Sequence, residues 1–144
     1  MGIALKISAV FAAALLAAQP AAAHDDRTLD ATRAPHGGQL RMAGPHHFEL
    51  VIDGGATGAS ESAVVVYLYD HAEAKVHSAG ATGSATILSG KGKTVVTLVP
   101  DGENRMKGSG RYASTPDMKV AVTITLPGQP AAQARFTPGQ RARH

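Results

Sequence analysis

The sequence predicts an all-β protein, an antiparallel β-sandwich or small barrel of immunoglobulin-like type, and three observations carry that expectation. Apolar and polar residues alternate with period two along several short runs. Clusters of Gly and Pro separate those runs. Beyond the first 23 residues no stretch carries a sustained helical period.

Taken in order, residues 1–23 read as a secretory signal peptide. Lys6 supplies the positive start, residues 7–18 are an apolar run too short to span a bilayer, and Ala21, Ala22 and Ala23 offer small residues to a signal peptidase. Cleavage after Ala23 predicts a periplasmic protein that begins at His24. Residues 24–35 are polar and aperiodic, which predicts a flexible N-terminal arm. Residues 36–137 form the β-sandwich domain, and 138–144 read as a disordered tail rich in Pro, Gly and Arg.

Within the domain, residues 39–42 alternate and end at the turn Ala43-Gly44-Pro45. Residues 46–53 place Phe48, Leu50 and Ile52 on one face, and His47, Glu49 and Asp53 on the other. Residues 63–69 are the most apolar stretch after the leader, β-branched and aromatic, and predict a central strand. A short edge strand is expected at 75–77, and a hairpin from 84–88 and 93–99 about the glycines at 90 and 92. A weaker strand at 106–113 is interrupted by Gly108 and Gly110. Residues 119–126 turn Val120, Val122, Ile124 and Leu126 inward, and 132–136 close the set.

Composition narrows the function. Lys6 is the one basic residue of the leader, so losing it lowers the formal net charge of +3 to about +2. With no basic stripe, nucleic acid is an unsuitable partner. The chain has no cysteine and no tryptophan, which excludes disulfides, thiolate chemistry and a tryptophan-lined sugar platform. No nucleophile elbow, phosphate loop or helix-borne His-Glu pair is present, and the protein is expected not to be an enzyme.

Histidine is the over-supplied reactive residue, with all seven copies after the leader. Outside the cytoplasm and without cysteine, His with Met suits copper, and His with carboxylates suits zinc or nickel. If the strands at 39–42 and 46–53 form a hairpin, Met42 faces His46 across the turn. His36 then falls opposite Ile52, roughly 17 Å from His46 at 3.4 Å per residue. If the strand at 63–69 pairs antiparallel with the second, Met42, His46, His47, Asp70 and His71 gather at one rim as metal ligands. His36 stands apart in Pro35-His36-Gly37-Gly38. Its glycines either let backbone approach an ion or partner closely, or form an irregular lead into the strand. A new N-terminus at His24 would pair its amine with its own imidazole, a chelate for Cu(II). Met106 and Met118 read as core or rim filler, and Asn104 to Lys107 as turn chemistry. Arg111 and Tyr112 read as a contact patch.

Four landmarks taken together, Pro35-His36-Gly37-Gly38-Gln39-Leu40, residues 46–51, residues 65–70 and Asn104-Arg105-Met106-Lys107-Gly108, carry a resemblance. Over residues 35–136 the chain resembles small exported proteins, and an N-terminal domain of some periplasmic adaptor subunits, associated with heavy-metal efflux pumps of the resistance-nodulation-division class. The resemblance implies a β-rich domain and a role near copper, zinc, cobalt or nickel. It points to His36 and to His46 or His47 as ligands, and to a periplasmic efflux-pump subunit as partner. The chain departs from a full adaptor in lacking the helical hairpin and the membrane-proximal domains. The resulting expectation is a non-catalytic carrier or accessory protein holding a copper or zinc ion. The alternative is a β-sandwich interaction module that binds no metal and docks onto an efflux or envelope complex.

Overall fold

A computed structural model describes residues 26–140. The leader, its cleavage site, His24 and residues 141–144 lie outside the described residues. The chain folds as α1 (Asp26–Ala31), β1 (Gln39–Ala43), β2 (His46–Ile52), β3 (Ser62–Asp70), β4 (Thr82–Ser89), β5 (Gly92–Pro100), β6 (Arg105–Gly110), β7 (Lys119–Thr125), β8 (Ala132–Phe136) and a closing 3-10 turn at Pro138–Gln140.

The strands run β1-β2-β3-β6-β5-β4-β7-β8, every neighbouring pair antiparallel. The hairpins β4-β5-β6 bring the chain back beside β3, a Greek-key arrangement. Curling brings β8 alongside β1, and the Thr137 N–H donates to Gln39 Oε1 at 2.9 Å across that seam. The result is a nearly closed, barrel-like all-β fold, as the alternation predicts.

Alternation also chooses the interior. Phe48 and Leu50, Val64, Val66 and Leu68, Ile87, Val96 and Leu98, Val120, Val122 and Ile124, and Phe136 form one continuous buried cluster. Burying each of these side chains contributes about 1.5–3 kcal/mol. Met106 and Met118 belong to the same cluster, as filler.

The joint between β5 and β6 is short, with Val99 opposite Lys107 and Pro100 opposite Met106. Gly108 and Gly110 explain why the crossing is possible there. A Cβ on Gly108 would collide with the Thr97 carbonyl and come within 2.6 Å of Val96, and one on Gly110 would come within 2.8 Å of Val96. The glycines that weaken the strand pattern are what let β5 cross so closely.

Four local expectations change. The arm expected to be flexible contains α1, whose Leu29 is buried. Residues 75–77 form only an isolated bridge between Lys75 and Tyr69. β6 ends at Gly110, and Tyr112, expected on a contact patch, is instead buried. Its hydroxyl donates to the Ala63 carbonyl at 2.7 Å and accepts from the Asp53 N–H at 3.1 Å. Asn104, expected in a turn, is buried and donates from its side-chain amide to the Leu68 carbonyl at 3.0 Å, tying β6 to β3.

Candidate functional site

The outer face of β1-β2-β3 is built from the residues that alternate away from the core. Register places Leu40 opposite Glu49, and Met42 opposite His47. On the other side of β2, Glu49 faces Tyr67 and His47 faces Tyr69. Directly paired residues share a face, so Leu40, Met42, His47, Glu49, Tyr67 and Tyr69 form one surface. Residues 26–38 lie over it. Leu29 packs with Leu40 and Tyr69, with Ala34, Met42 and Tyr67 at the margin, in an apolar cluster separate from the main core.

The centre of this surface is a carboxylate with no exposed area. Glu49 Oε2 accepts the backbone N–H of His36 at 2.9 Å and that of Gly38 at 3.0 Å. Its Oε1 lies 2.9 Å from His36 Nδ1. The His36 ring stacks on Tyr67 with centroids 3.6 Å apart and planes 3° from parallel. The Tyr69 hydroxyl lies 3.2 Å from the same Nδ1. Burial and then the neighbouring Glu49 charge push the Tyr69 hydroxyl above its ordinary value, and the Asn104 amide opposes them. A carboxylate accepting at Nδ1 favours the tautomer with its proton there, which leaves the lone pair on Nε2.

The local sequence explains the clamp. Pro35 steers Ala34 away from helical geometry, so the helix has to end before it. Gly37 then adopts φ +69°, a left-handed turn in which its N–H reaches the Ala34 carbonyl at 3.1 Å. At Gly38 a Cβ would strike the Leu50 carbonyl and approach Glu49 Cγ to 2.8 Å. The glycines serve close backbone approach, and what they approach is Glu49 and Leu50 of β2.

The other residues expected at the rim divide between the two faces of the sheet. His46 pairs with Ala43 and Asp70, and lies on the inner face with Phe48. Its Nε2 donates to Gln129 Oε1 at 3.1 Å, while its buried Nδ1 has no hydrogen-bond partner among the described residues. Met42 therefore faces His47 rather than His46, because the turn leaves only Gly44 and Pro45 outside the ladder. The His47 and His71 rings stack at 4.8 Å with planes 26° apart. His71 Nε2 meets the Gly44 carbonyl at 3.2 Å, which leaves Nδ1 as its lone pair. Asp70 is used locally, its Oδ1 accepting the N–H groups of Ala72 at 2.8 Å and Ala74 at 2.9 Å.

His36 meets neither His46 nor Ile52 but Glu49. Among the described residues no group of three His, Cys, Asp or Glu side chains has metal-holding geometry. The set brought onto one face near the rim is Met42, His47 and His71. Glu49 was not among the residues expected to matter. Its signal in the sequence is a lone charge inside the apolar run Phe48-Glu49-Leu50-Val51, on a hairpin that begins with Gly37-Gly38.

Comparison with protein-family models and with curated proteins finds no match to this chain.

Proposed function

We propose that this chain is a non-catalytic metal-binding protein of the periplasm, a carrier or accessory of heavy-metal efflux. The observation that supports this reading best is the sharing of one outer face by Met42, His47 and His71. A thioether with two imidazoles, in a chain without cysteine, is a donor set suited to Cu(I); zinc, cobalt and nickel fit the same imidazoles less selectively. His71 is exposed and lies in the turn after β3, so its ring can rotate from the Gly44 carbonyl onto an ion. Exchange through that exposed ligand would pass the ion to an efflux-pump subunit.

Anaerobic titration of the exported protein with Cu(I), alongside Cu(II) and Zn(II), tests this reading. The expected result is one equivalent bound with Kd below about 1 μM, lost in a His47→Ala/His71→Ala variant that keeps its β-sheet spectrum. Binding that survives in the variant would move the site to His36, whose side chain is 38 % exposed. Absence of tight binding in the native protein would favour the second reading, a docking module. Leu88, Val95 and Val99, apolar and exposed on β4 and β5, speak for that alternative.

A further inference from the structure

His47 is 4 % exposed, and Met42 is packed against the Leu29 cluster. An ion arriving from solvent cannot reach both ligands while residues 26–38 lie over them. We propose that this segment is a strap, latched by Glu49, whose opening controls entry and exit of the ion; the proposal rests on the metal-binding reading above.

The strap is built to open as a unit. Its helix has six residues, far below the roughly 12–15 at which isolated helices become even marginal. It buries one large apolar side chain, Leu29. What holds it is a small number of polar contacts at its two ends. At the C-terminal end the Glu49 carboxylate takes the N–H groups of His36 and Gly38 and the His36 ring. At the N-terminal end Arg41 donates to Asp30 Oδ1 at 2.7 Å, and the Met42 N–H meets Asp26 Oδ1 at 3.3 Å. Segments with few apolar contacts and discrete latches open locally well below the free energy of global unfolding. Gly37 and Gly38, free of side chains, stand where the strap joins β1 and can take up the change in backbone angles.

Beside the strap lies a pocket of about 140 Å³, partly open to solvent and walled by Leu29, Arg33, Pro35, Leu40, His47 and Tyr69 among others. One water requires roughly 10–15 Å³, so the space beside His47 admits an ion with part of its hydration shell. The pocket reaches His47 but not Met42, which packs under the strap, so the full ligand set is offered to an ion only when the strap moves.

The experiment compares wild type with Glu49→Gln, which turns an amide toward the two backbone donors. Asp30→Asn provides a second variant that loosens the far end without touching β2. Each is loaded with Cu(I), and two rates are read: transfer of copper to an excess of a Cu(I) chelator, and hydrogen exchange at the His36 and Gly38 amides. The expected result is exchange and copper release both accelerated by about tenfold or more in Glu49→Gln, with a smaller increase of both in Asp30→Asn. Faster amide exchange with unchanged copper release overturns the gate and leaves the binding site standing. Unchanged amide exchange in both variants overturns the latch. If wild type binds no copper at all, the metal reading falls and takes the gate with it, an outcome separate from the other two.

Discussion

The outer faces of the two halves of the barrel make an instructive pair. On β2 the residue pointing away from the core is Glu49, and it is 0 % exposed; on β5 the corresponding outward residues are Val95 and Val99, which are 62 % and 55 % exposed. On one outer face a charge is hidden, and on the other aliphatic side chains stand open. Alternation decides which side of a sheet a residue faces, and does not decide what lies against that side. Here residues 26–38 cover one half, and among the described residues nothing comparable lies over Val95 and Val99.

The comparison breaks most severely at Glu49. Replacing it with Ala leaves the His36 and Gly38 N–H groups and the His36 ring without their acceptor. The expected cost is about 3 kcal/mol by chemical denaturation. Gly38→Ala, which drives a Cβ into the Leu50 carbonyl and Glu49, should cost about 2 kcal/mol at the same place. A loss below 0.5 kcal/mol for both would mean that the strap contributes nothing to stability.

Alkaline titration sharpens the contrast by a smaller amount. Tyr69 on the covered face and Tyr112 within the main cluster both have hydroxyls pushed above the ordinary 10.0, burial being the larger cause in each. A raised value in the folded state means that the native protein holds these protons more tightly than the unfolded chain does. Their stabilisation is complete below about pH 10 and is lost as pH rises beyond it. Unfolding midpoints should therefore fall above pH 10, and Tyr69→Phe should flatten that fall. An equally steep fall in the variant would assign the effect elsewhere.

At the bare face the expected effect is smallest. Val95→Thr and Val99→Thr should each change stability by less than about 0.5 kcal/mol, as read from thermal unfolding. A larger loss would show that this face is covered in solution, as it would be in the docking-module reading.

What the sequence reveals follows the same division. The strands from Val64, Val120 and Ala132 onward were readable because a period of two is a local signal written many times over. β6 looked weaker than it is because Gly108 and Gly110 answer to a neighbouring strand rather than to their own. The division of His46 from His47 was also available, since adjacent strand residues face opposite ways; the rim cluster as drawn from the sequence ignored it. The correct partner of Met42 required knowing that only Gly44 and Pro45 lie outside the ladder. The strap was not readable. Its helix is short, Leu29 is its single large apolar residue, and the carboxylate that holds it comes from a different element.

The clamp on Glu49 has a consequence for how such chains can vary. His36-Gly37-Gly38 and Glu49 are separated by ten residues, and a turn of two fixes that interval. A residue inserted in the hairpin would move the carboxylate to the opposite side of the sheet, and a side chain at Gly38 would have no place beside a glutamate. Spacing and composition thus form a single structural unit, a His-Gly-Gly followed, after ten intervening residues, by a glutamate. That pattern can be sought in any sequence without a structure to hand.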